Sequence, residues 1–121
     1  MDAEDLSERL LEFAAWVGRV VDALPDTRLG RHVAGQLVRC GTSAPPNYEE
    51  ARAAEGRKDF IHKISVSLKE LRESRFWLRY IVRTNPLPGG QMKELIDESD
   101  QLCNILGQSI VTAKKNRGDA D

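Results

Sequence analysis

Residues able to do chemistry are sparse in this chain. His32 and His62 are its only histidines, and Cys40 and Cys103 its only cysteines. His62 has Asp59 three residues before it, but HxxxH, HExxH, Glu-x-x-His and CxxC spacings are all missing. A bound metal needs several such ligands to converge, so neither a metal nor a cofactor is expected. Asp59, Glu70 and Glu73 are candidates for an acid–base pair. On so charged a helix they read as salt-bridged or solvated carboxylates. Ser43 has no base near it in sequence, GxSxG is absent, and RLGRHVAG lacks the lysine and threonine of a phosphate loop. No catalytic residue is expected, and the chain reads as a non-enzyme.

The denser chemistry is recognition chemistry. Phe76, Trp77 and Tyr80 stand among Lys69, Arg72, Arg79 and Arg83. Aromatics interleaved with cations suit a subunit or protein interface. They equally suit base stacking with phosphate contact, or rings covered by neighbouring helices of the same chain. Arg75 falls between Leu71 and Leu78, near the middle of an apolar stripe. It therefore needs a carboxylate such as Glu49 or Glu50, or a place at a subunit contact, or a route by which it snorkels to water. Asn47 follows Pro46 and reads as a structural polar residue that satisfies carbonyls freed by the prolines. A catalytic alternative would need a polar pocket around Glu50, Asp59 and Arg75.

These side chains require helices to position them. Leu6, Leu10, Phe13, Val17, Val20 or Val21, and Leu24 recur at three and four, predicting a first helix from about Asp5 to Leu24 that Pro25 and Asp26 stop. A second starts near Thr27 as N-cap and passes through Leu29, Val33, Gln36, Leu37 and Cys40. Gly41 and the Pro45–Pro46 pair then interrupt it, and Asn47–Ala54 reads as helix again, with Ser43 a cap for the restart. The expectation is one rod kinked near Gly41–Pro46. A third helix spans about Arg57 to Arg83, with Phe60, Ile64, Leu68, Leu71, Leu78 and Val82 as its central stripe and Ile61 and Ile81 on the flanks. Pro86, Pro88, Gly89 and Gly90 turn the chain. A fourth runs from about Gln91 to Lys114, with Gly118–Asp121 expected to fray. Gly35 and Gly41 would permit close helix approach or end a turn.

Four helices, each with one apolar face, bury those faces only against each other. The fold class is all-α, an antiparallel up-down-up-down four-helix bundle. The length of 121 residues gives one domain, 1–121, with an ordered core of about 5–115. No apolar run is long enough to span a membrane. The acidic, polar start MDAEDLSERLLE lacks the features of a signal peptide, and the cysteines read as small buried hydrophobes, so the expected compartment is the cytoplasm. The net charge of −1 hides an uneven spread: residues 1–27 hold seven acidic and two basic side chains, residues 52–83 four acidic and nine basic. Oppositely charged elements suit pairing between neighbours.

Two motifs carry a family resemblance. The pattern Q-L-x-R-x-x-x-S-x-x-x-N-x-x-E-A falls on Gln36, Leu37, Arg39, Ser43, Asn47, Glu50 and Ala51. A downstream pattern R-x-D-F-I-H-K-x-x-x-x-x-K-E falls on Arg57, Asp59, Phe60, Ile61, His62, Lys63, Lys69 and Glu70. With a looser match over roughly Leu6 to Ala113, the chain resembles the bacterial four-helix-bundle proteins of ribosomal RNA intervening sequences. The resemblance implies a bundle that assembles with itself into a closed homopentamer, with helix 2 passing through the S-x-x-x-N segment almost uninterrupted. Relatives in retroelements are accessory subunits that bind a reverse transcriptase and nucleic acid through a strongly basic surface. Here the net charge departs from that pattern. Self-association comes first among the expected partners, then another protein, then RNA or DNA.

Overall fold

A computed structural model describes residues 1–84, 87 and 90–120, with side chains through Asn116. The chain forms α1 (Ala3–Ala23), α2 (Arg28–Gly41), α3 (Ala44–Arg52), α4 (Arg57–Thr84) and α5 (Gln91–Ala120). Together α2 and α3 make one bent rod, so the architecture is the expected four-helix bundle. α4 packs on α2 and α3 along one side and on α5 along the other. α1 lies diagonally opposite α4 and touches α2, α3 and α5. The expected turn at 85, 86, 88 and 89 lies outside the described residues. α5 continues past its expected end near Lys114 to Ala120, through most of the segment expected to fray.

Local chemistry fixes the helix starts. Asp2 and Asp5 form a reciprocal capping box on α1, and the Asp5 backbone N–H holds the Asp2 carboxyl below its ordinary range. Thr27 caps α2 as expected, its hydroxyl accepting from the Gly30 N–H at 3.0 Å. Gly30 is glycine for a steric reason: a Cβ there would run into the Pro25 carbonyl at the corner.

The bend follows from Pro45 and Pro46. Neither has an N–H, so the carbonyls of Gly41 and Thr42 lose their helical partners. The Thr42 and Ser43 hydroxyls fold back onto the Val38 and Arg39 carbonyls, each at 2.5 Å. Ser43 occupies the N-cap position of α3, but its side chain makes no cap bond. The N–H groups it would accept from belong to the two prolines. Asn47 also differs from expectation. Its Nδ2 donates to the Ser43 carbonyl at 2.8 Å, which its own backbone N–H already reaches at 3.3 Å. Asn47 reaches neither of the carbonyls that the prolines orphan.

The core combines Leu6, Leu10, Phe13 and Val17 of α1, Val33, Leu37 and Cys40 of α2, Ala44, Tyr48 and Ala51 of α3, Leu71 and Leu78 of α4, and Leu95, Leu102 and Leu106 of α5. On α4 the buried line departs from the expected stripe. It runs through Ile61, Ile64, Ser67, Leu68, Leu71, Ser74, Leu78 and Ile81, while Val82 faces water and Phe60 is half-buried. Two serines replace Arg75 at the centre. Each keeps its hydroxyl satisfied, Ser67 on the Ala44 carbonyl at 2.7 Å and Ser74 on the Glu70 carbonyl at 2.8 Å. Being small, they let the bent rod lie close against α4. Leu29, expected inside, is exposed.

The outer face of α4 as a candidate interaction site

Lys69, Arg72, Phe76, Arg79 and Arg83 recur at three and four along α4, so they share one face about 20 Å long. That face points away from the bundle. All four cations are exposed, and among the described residues none lies in an ion pair. The Phe76 ring, 54% exposed, sits in their midst. Trp77 and Tyr80 are half-buried at the edge of the face. The three rings form one cluster: Phe76 meets Trp77 edge-on at 5.0 Å, Trp77 meets Tyr80 at 5.7 Å, and Phe76 lies over Tyr80 at 6.5 Å.

The cluster is braced from α2. Arg39 donates to Glu73 and, at 3.3 Å, to Glu70. The same Glu73 oxygen that accepts from Arg39 accepts from the Trp77 indole N–H at 3.2 Å. His32 packs edge-on against the Trp77 ring at 5.9 Å. The Arg39 hydrogen bond is the main reason that the Glu73 carboxyl sits below its ordinary range, with the indole adding to it against partial burial. In its ionised form Glu73 gives the Trp77 indole N–H a charge-assisted acceptor.

The remaining candidates do not join this face, nor each other. Arg75 takes neither Glu49 nor Glu50. It pairs with Asp100 of α5 at 3.1 Å, because the true buried line passes beside it and leaves its head half-exposed at the α4–α5 seam. Glu50 pairs with Lys63 at 3.2 Å and Glu49 with Arg52 at 3.8 Å. Asn47 stays local to the bend. The polar pocket imagined around Glu50, Asp59 and Arg75 does not form. Similar polar struts tie the other seams, such as Arg9 on Glu98 between α1 and α5 and Arg52 on the Ser7 hydroxyl between α3 and α1.

An open cleft of about 820 Å³ lies at the far end of the bundle, where Phe60, Ile105 and Ala113 meet Gln108 and Thr112. Its lining includes one carboxylate, Glu55, and neither histidine nor cysteine. Among the described residues no three His, Cys, Asp or Glu side chains gather as a metal site requires, and no helix is long and apolar enough to cross a membrane.

The profile of the 23S rRNA-intervening sequence proteins matches residues 5–108. The chain belongs to that family. Its fold agrees with a crystal structure from Bacteroides thetaiotaomicron, described as a protein with unknown function from the S23 ribosomal protein family. The TM-score is 0.80 at 30% sequence identity, covering 87% of this chain and 97% of the other. No curated protein matches.

In this intervening-sequence protein, sequence reasoning located the rings and cations of the face but missed what holds them. Arg39 was visible only as a motif position. The available signal was the i,i+4 spacing of Glu73 and Trp77, which allows a carboxylate to hold an indole, plus an arginine on the preceding helix free to reach it.

Proposed function

We propose that the protein is a non-catalytic homo-oligomeric scaffold, and that the outer face of α4 is where one copy meets the next. Phe76 carries this reading. A half-exposed ring, flanked by cations without counter-charges and packed against Trp77, is costly to leave in water and suited to being covered. Covering the rest of the ring would recover about 1 kcal/mol, and aromatics with arginine dominate the energetics of protein contacts. The family resemblance supports a closed ring of five copies of the 13.6 kDa chain. Such a ring would display one surface five times over to a further protein. Light scattering over a wide concentration range tests this. A discrete mass of several copies supports it, and a monomer throughout ends it.

A second reading assigns the same face to RNA or DNA. It is favoured by the uncompensated Lys69, Arg72, Arg79 and Arg83 beside a stackable ring, and opposed by the net charge of −1. Titration with labelled RNA and DNA at two salt concentrations separates the readings. Tight, salt-sensitive binding supports the second, and no binding at low salt removes it.

A further inference from the structure

α1 carries a stripe that mirrors the one on α4. Glu4, Glu8, Leu11, Ala15, Gly18 and Asp22 recur at three and four along its outer side. Leu11 is 58% exposed, and a Cβ added to Gly18 would meet nothing. Among the described residues Glu4, Glu8 and Asp22 lie in no ion pair. Each stripe thus has one large apolar side chain in water between charges of a single sign. The signs are opposite, and the stripes sit on diagonal helices that face away from each other.

We infer that α1 of one copy docks in parallel along α4 of the next, with Leu11 against Phe76. This rests on the self-association proposed above and names its contact. Direction follows from topology. In an up-down-up-down bundle α1 and α4 run the same way, and in a closed ring whose axis lies along the helices the rotation leaves that direction unchanged. Neighbours in such a ring meet parallel. Register follows from spacing. Glu4 precedes Leu11 by seven residues, as Lys69 precedes Phe76. Glu8 precedes Leu11 by three, as Arg72 precedes Phe76 by four. With Leu11 on Phe76, Glu4 faces Lys69 and Glu8 faces Arg72. Ala15, four residues on, falls beside Tyr80, and Gly18, seven on, gives room to Arg83, with Asp22 one turn further along. The contact is heterologous, so each copy uses both stripes.

Charge exchange tests the pairing on purified protein freed of nucleic acid. Glu8 and Arg72 are both exposed, so helicity by circular dichroism should match the parent in every variant. R72E and E8R should each lower the assembled mass by light scattering, and E8R/R72E should restore it. The parent mass should also fall as salt rises. If the parent assembles and R72E leaves its mass unchanged, this contact is wrong while self-association stands. If each single reversal dissociates the assembly and the double fails to restore it, the register is wrong. A parent that is monomeric throughout overturns both.

Discussion

Gly41 lies against Val17 so closely that a Cβ on it would stand 2.7 Å from the Val17 Cγ1 methyl. The contact sets how near α2 approaches α1 just before the bend. Val17 is itself fully buried and has nowhere to retreat. Gly41→Ala should therefore cost about 1–3 kcal/mol as an overpacked core. Gly35 sits on the same helix with nothing within 4 Å of its would-be Cβ. Gly35→Ala should gain up to about 1 kcal/mol from helix propensity. Urea titrations of the two variants, moving in opposite directions, check the assignment.

Ser67 offers a second contrast. By hydrophobicity alone, leucine would improve a buried position in a helical stripe. The Ser67 hydroxyl instead donates to the Ala44 carbonyl at 2.7 Å, and the space is spent. Ser67→Leu should destabilise by about 1–3 kcal/mol, and Ser67→Ala by about 1 kcal/mol through the lost bond. Both should lower the urea midpoint without changing its slope.

Glu73 gives a pH prediction. Its folded carboxyl titrates below the ordinary value of 4.5, chiefly because Arg39 donates to it. The stabilisation is therefore complete above pH 4.5 and lost as the pH falls through the lower, folded value. Glu73→Gln should melt below the parent at pH 7, and the gap should close in acid. A gap that persists unchanged at pH 2 would mean that shape, and not charge, holds Trp77.

Cys40 and Cys103 are both unpaired and buried, and burial pushes both thiols up. Few thiolates exist at neutral pH to attack a disulfide reagent. Native protein should therefore react slowly with such a reagent at pH 8. Two equivalents should appear promptly in guanidinium chloride.

The elements were legible because periodicity reports burial where the buried residues are greasy. Leu6, Leu10, Phe13 and Val17 lie inside as their spacing requires, and Thr27 caps where a threonine before a helix should. On α4 the same method slipped, since it scores Ser67 and Ser74 as polar and so moved the stripe towards Val82 and Arg75. A hydroxyl that bonds a carbonyl four residues back, as Ser74 does, behaves as a small apolar group. The rings of the candidate face could be read from the chain. Their bracing by Arg39, and the pairing of Arg75 with Asp100, depend on helices brought together only by folding.

The joint at Thr42 and Ser43 lets one rod serve two neighbours. Above it, His32 and Arg39 address the upper half of α4; below it, Tyr48 and Ala51 enter the core against α1 and α4. One residue inserted there would turn everything downstream by about 100° and swing Tyr48 towards solvent. Loops usually absorb changes in length, yet this short corner should tolerate neither a gain nor a loss of a single amino acid.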